Sequence, residues 1–209
     1  LILINCYWIV STENRVVWEL TDFSFFPTVL FTLFTVAGVN LLLNRFLKSS
    51  SLNQTELATT YIMISIATAL AGHDIIRQLV PLMGNAFWYA TPENEWEDLF
   101  FRYIPRWLTV DDKRILEGYF EGGTTFWEAK YMKAWFVPIL AWSGFVIVVL
   151  FVMLCINIIV RKQWIEHEKL SYPITVLPLE VISNTSSIFS NRLMWIGFSV
   201  AFGIEILAG

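Results

Sequence analysis

The feature that most constrains this chain is a long apolar run, residues 134–160, which contains no aspartate, glutamate, lysine or arginine. A helix needs about 20 consecutive apolar residues to cross the hydrocarbon core of a bilayer. Because hydrocarbon offers no hydrogen-bond partners, a spanning segment must pair its backbone groups internally, as an α-helix does. The run therefore predicts a membrane-spanning helix.

Four further apolar segments accompany this run, and the first of them is too short to cross a bilayer alone. Hydrophobic residues make up 56% of the chain, which exceeds the apolar content of soluble domains. We expect an all-α, polytopic integral membrane helical bundle that forms one membrane domain, residues 1–209, as a fragment of a longer chain. Its apolar segments are residues 1–10, 23–47, 57–82, 134–160 and 193–209.

Residues 84–133 form one large polar insertion, which we place on the outer side of the membrane. A helix after Thr91 would carry Trp96, Phe100 and Tyr103 on one apolar face. A second short helix would open with a capping box at Thr109 and end near Gly122. We predict that both helices lie along the membrane surface with their apolar faces largely buried.

Residues 161–191 begin with charges directly after the longest apolar run, and the distribution of lysine and arginine favours the cytoplasmic side. Pro173 and Pro178 argue against one straight spanning helix over residues 171–182. We expect Pro173 to begin or end a helix and Pro178 to kink or end the segment after it. The segment is either a re-entrant, discontinuous helix beside a transport path or a cytoplasmic loop packed under the helix ends.

Ionisable residues inside apolar segments are the first candidates for function. The third segment carries His73, Asp74 and Arg77, and the last segment carries Glu205. Charge at such depth is costly and usually faces a protein interior or a wet cavity. We interpret these residues as a hypothetical substrate- or proton-binding set, with Asp74 as the titratable member. The alternative is an Asp74–Arg77 pair that only fixes helix packing.

A second candidate set consists of amides and one carboxylate. Asn40, Asn44 and Asn157 lie in apolar segments, where asparagine most often forms hydrogen bonds between helices. Under the transport hypothesis, these residues and Glu180 would border a shared cavity. Under the alternative of a structural role, these side chains would form their hydrogen bonds with neighbouring helices.

Several function classes are disfavoured by the sequence. The net charge of −4 and the lack of a basic run argue against a nucleic-acid partner. The two cysteines lie in apolar runs and are interpreted as small buried hydrophobes. Phosphate loops, zinc patterns and nucleophile elbows are missing from the sequence, so we expect no enzyme activity, no cofactor and no metal site.

Four stretches carry a resemblance to a known family. ELATTYIM, ATPENEW, YIPRWLTVDD and WIEHEKLSYPITVLPLE resemble an uncharacterised family of prokaryotic polytopic membrane proteins. That family is distantly similar to oligopeptide transporters, which also carry a Leu-x-Tyr-Pro element after a spanning helix. The resemblance implies the prokaryotic inner (cytoplasmic) membrane, and it assigns no role to any residue.

Two functions are compatible with these observations, and both are hypotheses. The first is a transporter-like protein that moves a small polar or peptide-like solute, with proton coupling as an option. The second is a non-catalytic structural or scaffold subunit of a larger membrane complex. The partners implied are the lipid bilayer, a small polar solute, and other membrane proteins or further copies of the chain.

Overall fold

The structure, a computed structural model, describes residues 1–13, 15, 27–46, 51–169 and 172–208, apart from the side chains of His73, Asp74, Glu205 and Ala208. Throughout these residues the regular structure is helical, which confirms the all-α class. The α-helices are α1 (Ile2–Glu13), α2 (Pro27–Phe46), α3 (Gln54–Ala71), α4 (Gln78–Trp88), α5 (Trp96–Leu99), α6 (Lys113–Phe120), α7 (Ala129–Lys162), α8 (Pro173–Ser183), α9 (Thr185–Ser190) and α10 (Arg192–Ala208).

Among the described residues, three helical stretches are long and apolar enough to cross a membrane: Pro27–Phe46, Gln54–Trp88 and Ala129–His167. The second contains α3 and α4 joined by a π-helix, His73–Arg77, and the third ends in a π-helix, Gln163–His167. Pro173–Ser183 and Arg192–Ile204 are shorter apolar helices. The chain divides into two compact units, residues 1–76 with 171–209 and residues 77–170.

The core of the first unit forms where α8 packs against α2 and α3. Leu33 and Ala37 of α2, Leu57 of α3, and Val181 and Ile182 of α8 are buried together. This core explains why an 11-residue helix holds its place although it is too short to span a bilayer. The stability of α8 depends on these tertiary contacts more than on the length of the helix.

The two prolines of α8 have different outcomes. Pro173 begins the helix, as predicted, because the first helical position needs no amide donor. Pro178 lies inside the helix, which continues to Ser183, so Pro178 does not end the helix, and a kink there stays a prediction. Pro178 is itself buried, and packing around it offsets the lost hydrogen bond. Ser171 lies outside the described residues.

A side-chain clamp joins α2 to the residue Leu52, just before α3. The Asn40 amide donates to the Leu52 carbonyl at 2.9 Å, and its oxygen accepts from the Leu52 amide at 2.7 Å. Directly afterwards, Asn53 and Glu56 form a reciprocal capping box at the start of α3. Asn40 therefore sets where the third helix begins.

The second unit is built around an aromatic core. Its buried residues come from α4, α6, α7 and the loop before α6, and they are Met83, Phe87, Val110, Ile115, Leu116, Tyr131 and Trp135. Val110 donates its backbone amide to the Met83 carbonyl at 2.9 Å, which ties the loop to α4. Gly84 lies so close to Leu116 that a Cβ on the glycine would overlap the leucine side chain.

The predicted second helix of the insertion is present as α6, but its cap is Asp112, whose carboxylate accepts from the Arg114 amide. The predicted first helix forms only over Trp96–Leu99. The four-residue α5 is followed by 3₁₀ turns at Phe101–Tyr103 and Arg106–Leu108. Asn94, not Thr91, organises its start by accepting from the amides of Thr91 and Trp96.

The apolar face predicted for that first helix is also only partly formed. Trp96 and Phe100 are half-buried, whereas Tyr103 is 69% exposed. Glu95 has a left-handed backbone (φ 52°) and Phe100 an extended φ of −141°, so the helical phase is lost. The side chains therefore do not share one face, because a periodic pattern predicts a face only along an unbroken helix.

We predict that Asn40→Ala lowers the free energy of unfolding by about 2 kcal/mol, because both Leu52 backbone groups lose their partner. Reversible unfolding of the purified protein in mixed micelles measures the change. Asn44→Ala, one turn later on an exposed site of the same helix, is the control and should change stability by less than about 0.5 kcal/mol. Equal effects of the two substitutions would contradict the clamp.

We also predict that Gly84→Ala destabilises the second unit by about 1–3 kcal/mol through overpacking against Leu116. Gly144→Ala is the matched control, since a Cβ at Gly144 meets nothing within 4 Å. The Leu116→Ala background should remove most of the Gly84→Ala penalty, a coupling measured by a double-mutant cycle. Strictly additive effects would rule out the contact as the cause.

Candidate functional site

The helical stretch Gln54–Trp88 is interrupted in its apolar part. Helix α3 ends at Ala71, and the buried Gly72 is extended with φ −76° and ψ −176°. The Gly72 amide still donates to the Thr68 carbonyl, after which the chain continues as the π-helix His73–Arg77. Glycine, histidine and aspartate all have weak helix propensity, so the interruption falls where the local sequence supports a helix least.

A buried polar cluster lies one turn before this interruption and joins α1, α2 and α3. The Asn5 amide donates to the Thr68 hydroxyl at 2.8 Å. The Thr32 hydroxyl lies 2.8 Å from the Thr28 carbonyl and 3.4 Å from the Asn5 oxygen, and its single proton serves one of them at a time. Thr68 is fully buried and Asn5 nearly so, so these bonds form away from solvent.

The same region holds two further buried polar side chains, Thr28 and Glu13. Within the described part of the chain, the Thr28 hydroxyl has no hydrogen-bond partner. Glu13 ends a buried stripe on α1 that contains Asn5, Ile9 and Glu13, each four residues apart. Residues at this spacing share one helix face.

The lengths of the apolar segments do not reveal this cluster. Length excludes the first segment as a span, and the acidic residues after it place Glu13 in a polar loop. The signal is nevertheless present, because Asn5, Ile9 and Glu13 have the period of one helix face. A search for polar residues at i, i+4 spacing in short apolar segments would find it.

The ionisable candidates lie in the interrupted stretch and in the last helix. His73 and Asp74 are the first two residues of the π-helix, directly after Gly72, but their side chains are not among the described ones. Arg77 is the last residue of that π-helix and its side chain is exposed. Glu205 lies in α10, and its side chain is likewise outside the described set. The burial of Asp74 stays a prediction.

The remaining candidates bond to local neighbours. Asn40 is buried and engaged by the Leu52 backbone, whereas Asn44 is exposed. Asn157 is exposed on α7 and donates to the Met153 carbonyl at 2.9 Å. Glu180 is exposed on α8 and accepts from the Asn184 amide at 2.7 Å.

The second unit contains a cavity of about 580 Å³ that none of the predicted site residues lines. Its charged lining side chains carry both signs and are Glu95, Glu97, Asp98, Arg106, Asp111 and Lys113. The Arg106 Nε lies 3.9 Å from the Asp111 carboxylate, and the Lys113 ammonium donates to the Ala90 carbonyl. The volume falls in the range of small-molecule sites.

The acidic character of this region extends beyond the cavity lining. A hydrogen bond from the Thr91 hydroxyl holds the pKa of Glu93 below its usual value, so this carboxylate stays ionised. Within the described residues, no three histidine, cysteine, aspartate or glutamate side chains are arranged to hold a metal ion.

We predict that Thr68→Val lowers the free energy of unfolding by about 1 kcal/mol, in the range of interhelical hydrogen bonds in membranes. Valine keeps the shape of threonine but leaves the buried Asn5 amide without its acceptor. Thr68→Ser retains the hydroxyl and should keep the coupling to Asn5→Ala in a double-mutant cycle. If valine and serine lower that coupling equally, the hydrogen bond contributes nothing.

No curated protein and no solved structure is significantly similar to this chain. A family model described as "Family of unknown function (DUF6785)" matches residues 1–209. This match confirms that the chain comes from an uncharacterised family, and it provides no link to oligopeptide transporters. The full-length match shows that the chain belongs to the family of unknown function DUF6785.

Proposed function

We propose that this chain is part of a polytopic membrane transporter that moves a small polar or peptide-like solute across a prokaryotic inner membrane. The observation that carries the proposal is the interruption at Gly72 within the candidate span Gln54–Trp88. Transporters use discontinuous helices at this kind of position, because the freed backbone groups bind substrate or ions.

An interrupted helix in a span indicates function because unpaired backbone groups are costly in hydrocarbon. Each backbone amide or carbonyl left without a partner costs several kcal/mol there, roughly 2–7 kcal/mol on transfer scales. An interrupted backbone is therefore retained where protein or a water-filled cavity surrounds it. At Gly72 the backbone remains partly satisfied through Thr68, and the next backbone groups belong to His73 and Asp74.

The chemistry at the interruption fits a cationic or hydrogen-bonding solute. A carboxylate at Asp74 would bind an ammonium group or carry a proton, and an imidazole at His73 would donate or accept a hydrogen bond. The Asn5–Thr68 hydrogen bond would fix the last turn of α3 before the interruption. The proposal thus rests on a fixed helix end that directly precedes a π-helical segment with ionisable residues.

A second function, a structural or scaffold subunit, has its own supporting observation. The amides of Asn5 and Asn40 are consumed by bonds within the chain, as expected for a structural role. The most apolar part of α7 also has no buried residue. In a complex, that surface would face lipid, another membrane protein or a second copy of this chain.

Transport is tested with the protein reconstituted in proteoliposomes under an inward proton gradient. Dialanine, trialanine and single amino acids are the probes, and a pH-sensitive dye inside the vesicles reports coupled proton entry. We expect uptake of at least one probe class and a reduction of about tenfold or more in Asp74→Asn, equivalent to about 1.4 kcal/mol or more.

Glu121→Gln, an exposed carboxylate in the insertion, is the matched control and should keep uptake within twofold. Uptake that is equal in wild type and Asp74→Asn would contradict the role of Asp74. No movement of any probe, from protein that unfolds cooperatively and remains monodisperse, would favour the scaffold function instead.

A further inference from the structure

We propose that the aromatic groove at the start of α7 binds an acyl chain of a membrane phospholipid. The groove encloses about 370 Å³ and lies entirely within the second unit. Residues from α4, α6 and α7 form its walls, chiefly Val80, Ile115, Tyr119, Tyr131, Trp135 and Ile139. The proposal rests on α7 crossing the membrane and is independent of transport.

The chemistry of the lining favours hydrocarbon over a polar ligand. The walls are mainly aliphatic and aromatic, and the Thr124 hydroxyl already donates to the Gly118 carbonyl at 2.9 Å. Partial desolvation raises the pKa of Tyr119, which disfavours a charged phenolate at the groove. A charged ligand would therefore lose its hydration without gaining an ionic partner from these side chains.

The position of the groove identifies the source of the hydrocarbon. Trp135 and Ile139 belong to the candidate span Ala129–His167, at the end where the apolar run begins. Phe126 and Trp127, just before α7, are 48% and 80% exposed. Tryptophan and tyrosine favour the boundary between headgroups and acyl chains. The groove thus opens where acyl chains are the most abundant apolar groups.

A flexible chain of methylene groups suits a groove of about 370 Å³, because it can adapt its conformation to the walls. The bilayer is already apolar, so burial of the acyl chain contributes little. The favourable free energy of binding comes from dispersion contacts between the chain and the walls, which an empty groove would lack. Lipid packing of this kind needs no hydrogen bond.

The test uses phosphatidylcholine with a photoreactive diazirine in one acyl chain, mixed into nanodiscs that hold the intact protein. After irradiation, mass spectrometry of peptides locates the labelled residues. We expect labelling at Val80, Ile115 and Ile139 at least threefold above that at Phe145 and Phe151, which are exposed on α7 outside the groove.

Two matched substitutions then separate groove binding from general lipid contact. Val80→Phe fills the groove and should reduce labelling of Ile115 and Ile139 about tenfold. Val137→Phe makes the same change at a 51% exposed position of α7 that does not line the groove and should leave labelling unchanged. Cooperative unfolding of both variants shows that each is folded.

Other outcomes would overturn the proposal. Labelling that is equal inside and outside the groove would mean ordinary lipid contact alone. Groove labelling that persists in folded Val80→Phe would place the acyl chain elsewhere. Cross-links from groove residues to a second protein chain would identify a protein occupant. Failure of solute uptake would leave this result unaffected, so the two proposals fail separately.

Discussion

Backbone hydrogen bonding is the constraint on which the rest of this structure depends, and it would be strictest in the three candidate membrane spans. Helices satisfy it over most of the described chain, and side chains satisfy it where helices begin or stop. Asn40 pairs with both backbone groups of Leu52, and Asn53 with Glu56 caps the next helix. Gly72 interrupts the regular α-helix inside a candidate span although its amide still donates to the Thr68 carbonyl, and this interruption motivates the functional interpretation.

Much of the helical fold was predictable, because long apolar runs have few structural options in lipid. Residues 134–160 form part of a continuous helix, as their uninterrupted apolar sequence indicates. The start of α8 at Pro173 was predictable for an equally local reason, the fixed φ of proline and its missing amide donor. These features depend on neighbours in sequence rather than neighbours in space.

The remainder depends on tertiary contacts that a single sequence does not contain. Pro178 stays inside α8 because the helix packs against α2 and α3. Tyr103 turns outward because Glu95 and Phe100 break the helical phase that the spacing of aromatic residues predicts. The polar cluster at Thr68 is not predictable from the length of α1, because its burial comes from two neighbouring helices.

The length of α7 makes the second unit sensitive to membrane thickness. Its apolar residues 134–160 extend over about 40 Å at 1.5 Å per residue, whereas a typical hydrocarbon core is about 30 Å thick. A spanning α7 would relieve this mismatch by tilting, by bending or by thickening the bilayer around it. Tyr131 and Trp135 fasten the same helix into the core formed with Ile115 and Leu116. A change in bilayer thickness that tilts or bends a spanning α7 would therefore also load the packing of Tyr131 and Trp135 in the core of the second unit.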